Sequence, residues 1–220
     1  MIVKDYNICY NNLWKTLRTH RQEIIMNKIK ISKLLGVILT MAILTTPMAA
    51  CSDFNYESDN PIIVIDVKQH GKIYVELDPD SAPISVQNFL DLVELKYYDG
   101  LNFHRIIKGF MIQGGQGNSS SPAVSSIKGE FSENGVNNTI NHTRGTISMA
   151  RTKVMDSATS QFFICDADSP HLNGKYAGFG KVVQGLEVVD SIAKTSVIDR
   201  NGTVEEGKEP IIKSIRVYTK

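Results

Sequence analysis

The chain has 220 residues, a formal net charge of +1 at pH 7 and 42% hydrophobic residues. That length suits one domain plus a tail and is ample for a substantial core. The near-neutral balance, with no Lys/Arg stripe interleaved with aromatics, removes the electrostatic case for nucleic acid.

The front of the chain does not read as part of a globular domain. Met26 to Lys33 is a basic lead-in, Leu34 to Thr46 is a short apolar run, and Pro47-Met48-Ala49-Ala50 precedes Cys51. This is the layout of a secretory signal peptide. The apolar run is shorter than the roughly 20 residues that a membrane span needs. Met1 to Ile25 lacks that logic, so Met26 is the expected start and residues 1–50 the leader. Met48-Ala49-Ala50-Cys51 resembles a loose lipobox, with Met where Leu is usual, which makes Cys51 a candidate lipidation site. Ordinary cleavage and plain secretion is the alternative. Cys51 and Cys165 could pair in an oxidising compartment. However, Cys165 ends the apolar run Phe162-Phe163-Ile164-Cys165, where a buried thiol is the ordinary expectation. Residues 51–60 read as a polar, acidic tether.

The domain proper is expected over residues 61–220. Ile62 to Val67 and Lys72 to Leu77 read as two strands around the turn Lys68-Gln69-His70-Gly71, the second alternating cleanly. Ser81 is the expected N-cap of a helix with Pro83 in its first turn and Val86, Phe89, Leu90 and Val93 at helical spacing. Gly114 to Gly129 reads as a long surface loop. A second amphipathic stretch spans Leu186 to Ala193, and Ile211 to Tyr218 offers a last strand. Many short strands with two helices argue for a barrel or a sandwich, and periodicity does not choose between them.

The candidate chemistry begins at Phe103 to Gly115 (FHRIIKGFMIQGG), where one arginine stands among apolar residues. Arg is rarely buried without a partner. In a strand, Phe103, Arg105 and Ile107 would share one face and His104 the other, so His104 reads as structural and not as a base. Other chemistries lack their signatures. The five histidines show no close metal-ligand spacing, C-x-x-C is absent, and no serine sits in G-x-S-x-G. No G-x-G-x-x-G opens a helix, so the glycines after Gln113 give no phosphate cradle.

Three blocks in order, Phe103 to Gly115, Gly145 to Ile164 and His171 to Val182, resemble the signature of the cyclophilin-type peptidyl-prolyl isomerases, and of their bacterial branch in particular. The resemblance implies a mainly β fold, a closed eight-stranded antiparallel β-barrel capped by two α-helices. It implies isomerisation of X–Pro bonds, with proline-containing segments of exported proteins as partners and neither metal nor cofactor. Arg105 matches the catalytic arginine. Phe103, Phe110, Met111, Gln113, Ala150, Arg151, Gln161, Phe163, His171, Leu172 and Tyr176 match substrate-binding positions.

There are departures from the pattern. His171 stands where a large aromatic is usual, which implies weak cyclosporin binding. Tyr176 replaces a frequent histidine, Arg151 a common asparagine, and Lys108 a frequent proline. Two rival readings remain at this point: a non-catalytic cyclophilin-like chaperone or binding module, and a small-ligand carrier with a hollow barrel. The expected product is a monomer in the periplasm, anchored through Cys51 or free.

Overall fold

The computed structural model describes Phe54 and residues 56–219. The leader and Cys51 lie outside the described residues. Eight strands and two helices occur in the order β1 (Ile62–Val67), β2 (Gly71–Leu77), α1 (Pro83–Glu94), β3 (Arg105–Ile107), β4 (Met111–Gly114), β5 (Thr146–Met149), β6 (Phe162–Cys165), β7 (Gly178–Gln184), α2 (Leu186–Ile192) and β8 (Ile212–Val217). All pairings are antiparallel, in the sheet order β3-β4-β6-β5-β7-β2-β1-β8.

Period-two alternation dictates what the curled sheet encloses. Ile63 and Ile65, Ile73, Val75 and Leu77, Ile106, Ile112, Ile147 and Met149, Phe162 and Ile164, and Ile212 and Ile215 all face one interior. Phe89 of α1 and Val189 and Ile192 of α2 complete that core from the helices. Phe89 packs edge-on against Phe162 at 5.4 Å and near Phe179 at 5.2 Å. The interior is filled by side chains, which removes the hollow-carrier reading.

The expected closed barrel needs correction: β3 and β8, the two ends of the sheet, do not pair as strands. The segment before β3 bridges the seam, with Gly100 N donating to Ile212 O at 2.8 Å, Ile212 N to Leu101 O at 2.8 Å and Phe103 N to Pro210 O at 3.0 Å. The cause is local. The free edge of β3 is taken by the turn after Asp199, because Ile106 N donates to Gly202 O and Val204 N to His104 O. Gly202 makes this approach feasible: its φ is +83°, and a Cβ there would collide with the Ile106 carbonyl oxygen.

Two local expectations also change. The cap residue of α1 is Ala82, not Ser81, whose hydroxyl and N–H instead bind Asp78. The helix's first N–H groups are met from a distance by Glu130. Its buried carboxylate accepts from Ile84 N at 2.9 Å and from Ser85 N and Oγ at 2.7 Å. A carboxylate suits the positive end of a helix. The polar tether is not free along its whole length either. Phe54 stacks on Tyr74 at 4.0 Å and meets Tyr218 edge-on at 4.9 Å. Tyr56, Ser58 and Asn60 all bond to Glu76.

Candidate active site

Outward-facing residues of β3, β4, β6 and β5 build the site because the strand registers align them in two rows. Arg105 stands opposite Gln113, Gln113 opposite Phe163 and Phe163 opposite Ser148. Ile107, Met111 and Cys165 form the adjacent row. Met111, Phe163, Cys165 and Leu172 make a second apolar cluster separate from the barrel interior, with Ile107, Phe110, Ala150 and Tyr176 packed against it. A patch of apolar side chains thus lies on the outside of the sheet, beside a guanidinium.

Arg105 is fixed from two sides. Its Nε donates to the Asn201 carbonyl at 2.8 Å, and its Nη1 donates to Gln113 Oε1 at 3.1 Å. Gln113 Nε2 in turn donates to Gln161 Oε1 at 2.9 Å. Nη2 makes no protein hydrogen bond among the described residues, so its donors are available to a ligand. Ala150 N binds the Gln161 carbonyl at 2.9 Å, which ties β5 to the same edge.

The far wall is the short 3₁₀ turn Pro170–Leu172. Leu172 is buried in the apolar cluster, whereas His171 is exposed and lies 5.2 Å from the Phe110 ring. Tyr176 meets Phe163 edge-on at 5.8 Å. Arg151 holds that rim: its guanidinium sits 4.6 Å above Tyr176 and 4.9 Å above Phe131, and donates to Lys175 O at 3.0 and 2.7 Å. Such cation–π and carbonyl contacts give the Arg151 side chain a holding role at the rim.

One expected member lies elsewhere. Phe103 is fully buried in the barrel interior, 6.0 Å from Phe162 and edge-on to it. The strand begins only at Arg105, so alternation does not carry Phe103 to the arginine's face. The other expected residues, Arg105, Phe110, Met111, Gln113, Ala150, Arg151, Gln161, Phe163, His171, Leu172 and Tyr176, assemble on one side of the sheet. Asn201, Ser148, His142 and Asn173 were not singled out. Asn201-Gly202 is legible as a turn, but nothing local ties it to Arg105, 96 positions away.

Burial keeps the thiol next to the site protonated and the histidine next to Arg105 neutral. Burial, assisted by Asp168, pushes the Cys165 thiol up to about 12. Burial and the Arg105 charge lower His104, whose Nδ1 has no partner among the described residues. Among the described residues no cluster of His, Cys, Asp or Glu is arranged to hold a metal ion.

The family described as cyclophilin type peptidyl-prolyl cis-trans isomerase/CLD matches residues 62–217. The chain belongs to this family. It is 39% identical over 161 residues to the peptidyl-prolyl cis-trans isomerase B of Escherichia coli strain K12, covering 67% of this chain and 94% of that relative. To the isomerase A of Dickeya dadantii it is 48% identical over 129 residues, covering 56% and 67%. Among solved structures it superposes on a cyclophilin-type isomerase of Cryptosporidium parvum with a TM-score of 0.64 and 29% identity, over 73% of this chain and 99% of that one. A second structure of that parasite protein, in the presence of the dipeptide Ala-Pro, gives a TM-score of 0.63 at 30% identity, over 72% and 99%.

Proposed function

We propose that this cyclophilin-family chain is a peptidyl-prolyl cis-trans isomerase that accelerates X–Pro rotation in exported proteins, acting as a monomer without metal or cofactor. The observation that carries the reading is the guanidinium of Arg105, fixed by Asn201 O and Gln113 Oε1 at the edge of an apolar cluster on the outer face of the sheet. The structure of the Cryptosporidium relative in the presence of the dipeptide Ala-Pro supports a proline-containing segment as the occupant.

Rotating an amide costs about 18–20 kcal/mol because resonance is lost at the midpoint. X–Pro bonds populate both isomers but exchange over tens to hundreds of seconds. No covalent bond need form or break. The protein must bind the twisted amide more tightly than either planar form, and about 1.36 kcal/mol of such preference gives tenfold in rate. Phe110, Met111, Phe163 and Leu172 offer the proline ring an apolar seat. As the amide twists, its nitrogen pyramidalises and regains a lone pair. The unengaged Nη2 of Arg105 donates to that lone pair, a bond the planar amide cannot accept. Arg suits this task because it stays charged and its donors are rigidly placed.

Arg105→Ala tests the reading in a protease-coupled assay of a proline tetrapeptide. Turnover drops by more than about tenfold, a loss above roughly 1.4 kcal/mol, while the circular dichroism spectrum is retained. Activity within about twofold of the parent, with the fold intact, excludes the role given to Arg105.

Export is the second half of the proposal. Its support is the basic, apolar and small-residue order before Cys51. Lipidation of Cys51 would place the domain at a membrane, and plain cleavage would release it.

A further inference from the structure

We infer that His142 is a positioning residue that sets the shape of the proline seat by locking the turn bearing Leu172 to the strand beneath Phe163. The inference rests on the isomerase reading above. His142 is buried, at 1% exposure, and lies outside the arginine network. Its ring stacks under Phe163 at 6.0 Å with an interplanar angle of 21°. Its Nε2 is 3.0 Å from Ser148 Oγ, on the strand position paired with Phe163. Its Nδ1 is 3.2 Å from Asn173 Oδ1, one residue beyond Leu172.

The backbone of His142 repeats the same connection. Its N–H donates to Asn173 Oδ1 at 2.7 Å, and its carbonyl accepts from Ser169 N at 2.7 Å. Asn173 also donates through Nδ2 to Asn141 Oδ1 at 3.0 Å. One residue therefore touches the floor of the seat, the strand behind it and both ends of the turn that supplies its wall.

The pattern fixes the tautomer. Asn173 Oδ1 is only an acceptor, so Nδ1 carries the proton and Nε2 accepts from the Ser148 hydroxyl. A neutral ring satisfies every polar group in the connection. Burial lowers the basicity of this histidine, consistent with a neutral ring. A histidine that merely filled space would be replaceable by an apolar ring of similar size. Here such a ring leaves the buried Ser148 hydroxyl without its partner and removes one of the two bonds from His142 that hold the Asn173 carbonyl. Unpaired buried polar groups are costly, so the turn moves to find others. Leu172 moves with it.

Arg105, Gln113 and Gln161 make no hydrogen bond to this group, so binding and turnover should respond differently. In the full chain, His142→Phe and, separately, Asn173→Ala raise KM for a proline tetrapeptide by about three- to tenfold with kcat changed by less than about twofold. The double variant raises KM by less than the product of the two single effects, because the His142 Nδ1–Asn173 Oδ1 bond is common to both. Asn173 is only partly buried, so its variant carries the test if His142→Phe does not fold. An inactive parent chain would strike the isomerase reading itself. An active parent whose folded variants keep KM within twofold, whatever their melting temperature, overturns the inference. So does a fall in kcat at constant KM.

Discussion

Gln113 donates through Nε2 to Gln161 Oε1, which turns its own Oε1 toward the Arg105 guanidinium. The direction of this relay matters, because an amide with its ends exchanged would point a donor at a cation. Gln161 thus sets the orientation of Gln113, and Gln113 sets that of the arginine. Gln113→Leu removes one of the two oxygen acceptors on Arg105 while keeping an apolar stem. Turnover of a proline tetrapeptide falls about tenfold, roughly 1.4 kcal/mol, with less effect from Gln161→Leu because Gln113 Oε1 is still present to accept from Arg105. An equal or larger loss in Gln161→Leu would show that the relay runs otherwise.

His171 is exposed and tilted 35° to the Phe110 ring, so one wall of the cluster ends in a small polar ring. A macrocycle such as cyclosporin gains less contact area there than on a larger aromatic side chain, and no indole N–H. Weak inhibition of the parent is expected, and His171→Trp tightens it with modest change in turnover. Inhibition titrations of both forms measure this; tight inhibition of the parent contradicts it.

Stability responds to acid in two steps, the first set by buried histidines and the second by the Asp99–Arg216 pair. His104 and His142 are both lowered, chiefly by desolvation, so the unfolded chain binds more protons than the folded one as pH drops below about 6.5. Their contribution is present above that pH and is lost as pH falls through the lowered folded values. Asp99, held down first by its hydrogen bond from Arg216, follows the same sign at lower pH, lost below the ordinary carboxylate range. Melting temperature should therefore decline from pH 7 to pH 5, and His104→Gln should flatten that first decline. A parent curve flat between these values refutes the assignment.

Much of this was legible because the strands are short and alternate. Ile73, Val75 and Leu77 face the interior as their spacing dictates, and the block from Arg105 to Gln113 forms a hairpin that sets those two residues opposite each other. Phe103 escaped because alternation was extended two residues past the true strand start, where the chain instead closes the seam through Pro210. Asn201, Asn173 and Glu130 escaped for another reason. Each acts on a partner 31 to 96 positions away, and no local period encodes such a pairing.

The segment after Cys51 bears on how the domain is carried. An acidic stretch such as Ser52 to Asn60 reads as a flexible leash, yet Phe54 stacks on Tyr74, and Tyr218 Oη donates to the Phe54 carbonyl at 3.0 Å. These partners belong to β2 and to the residue after β8, flanking β1. In the sheet order β1 stands four places from β6, which carries Phe163. The docked segment and the candidate site therefore occupy different sides of the curled sheet, and loss of an anchor should leave turnover unchanged. Two acyl chains hold a protein stably on a membrane, whereas one holds it only marginally. If Cys51 is diacylated, the full chain fractionates with membranes and its intact mass shows the lipid increment. Cys51→Ala is then soluble and unlipidated, with peptide turnover equal to the parent's. Equal release of both forms into the soluble fraction, with no lipid mass on either, rules out the anchor and leaves the export signal alone.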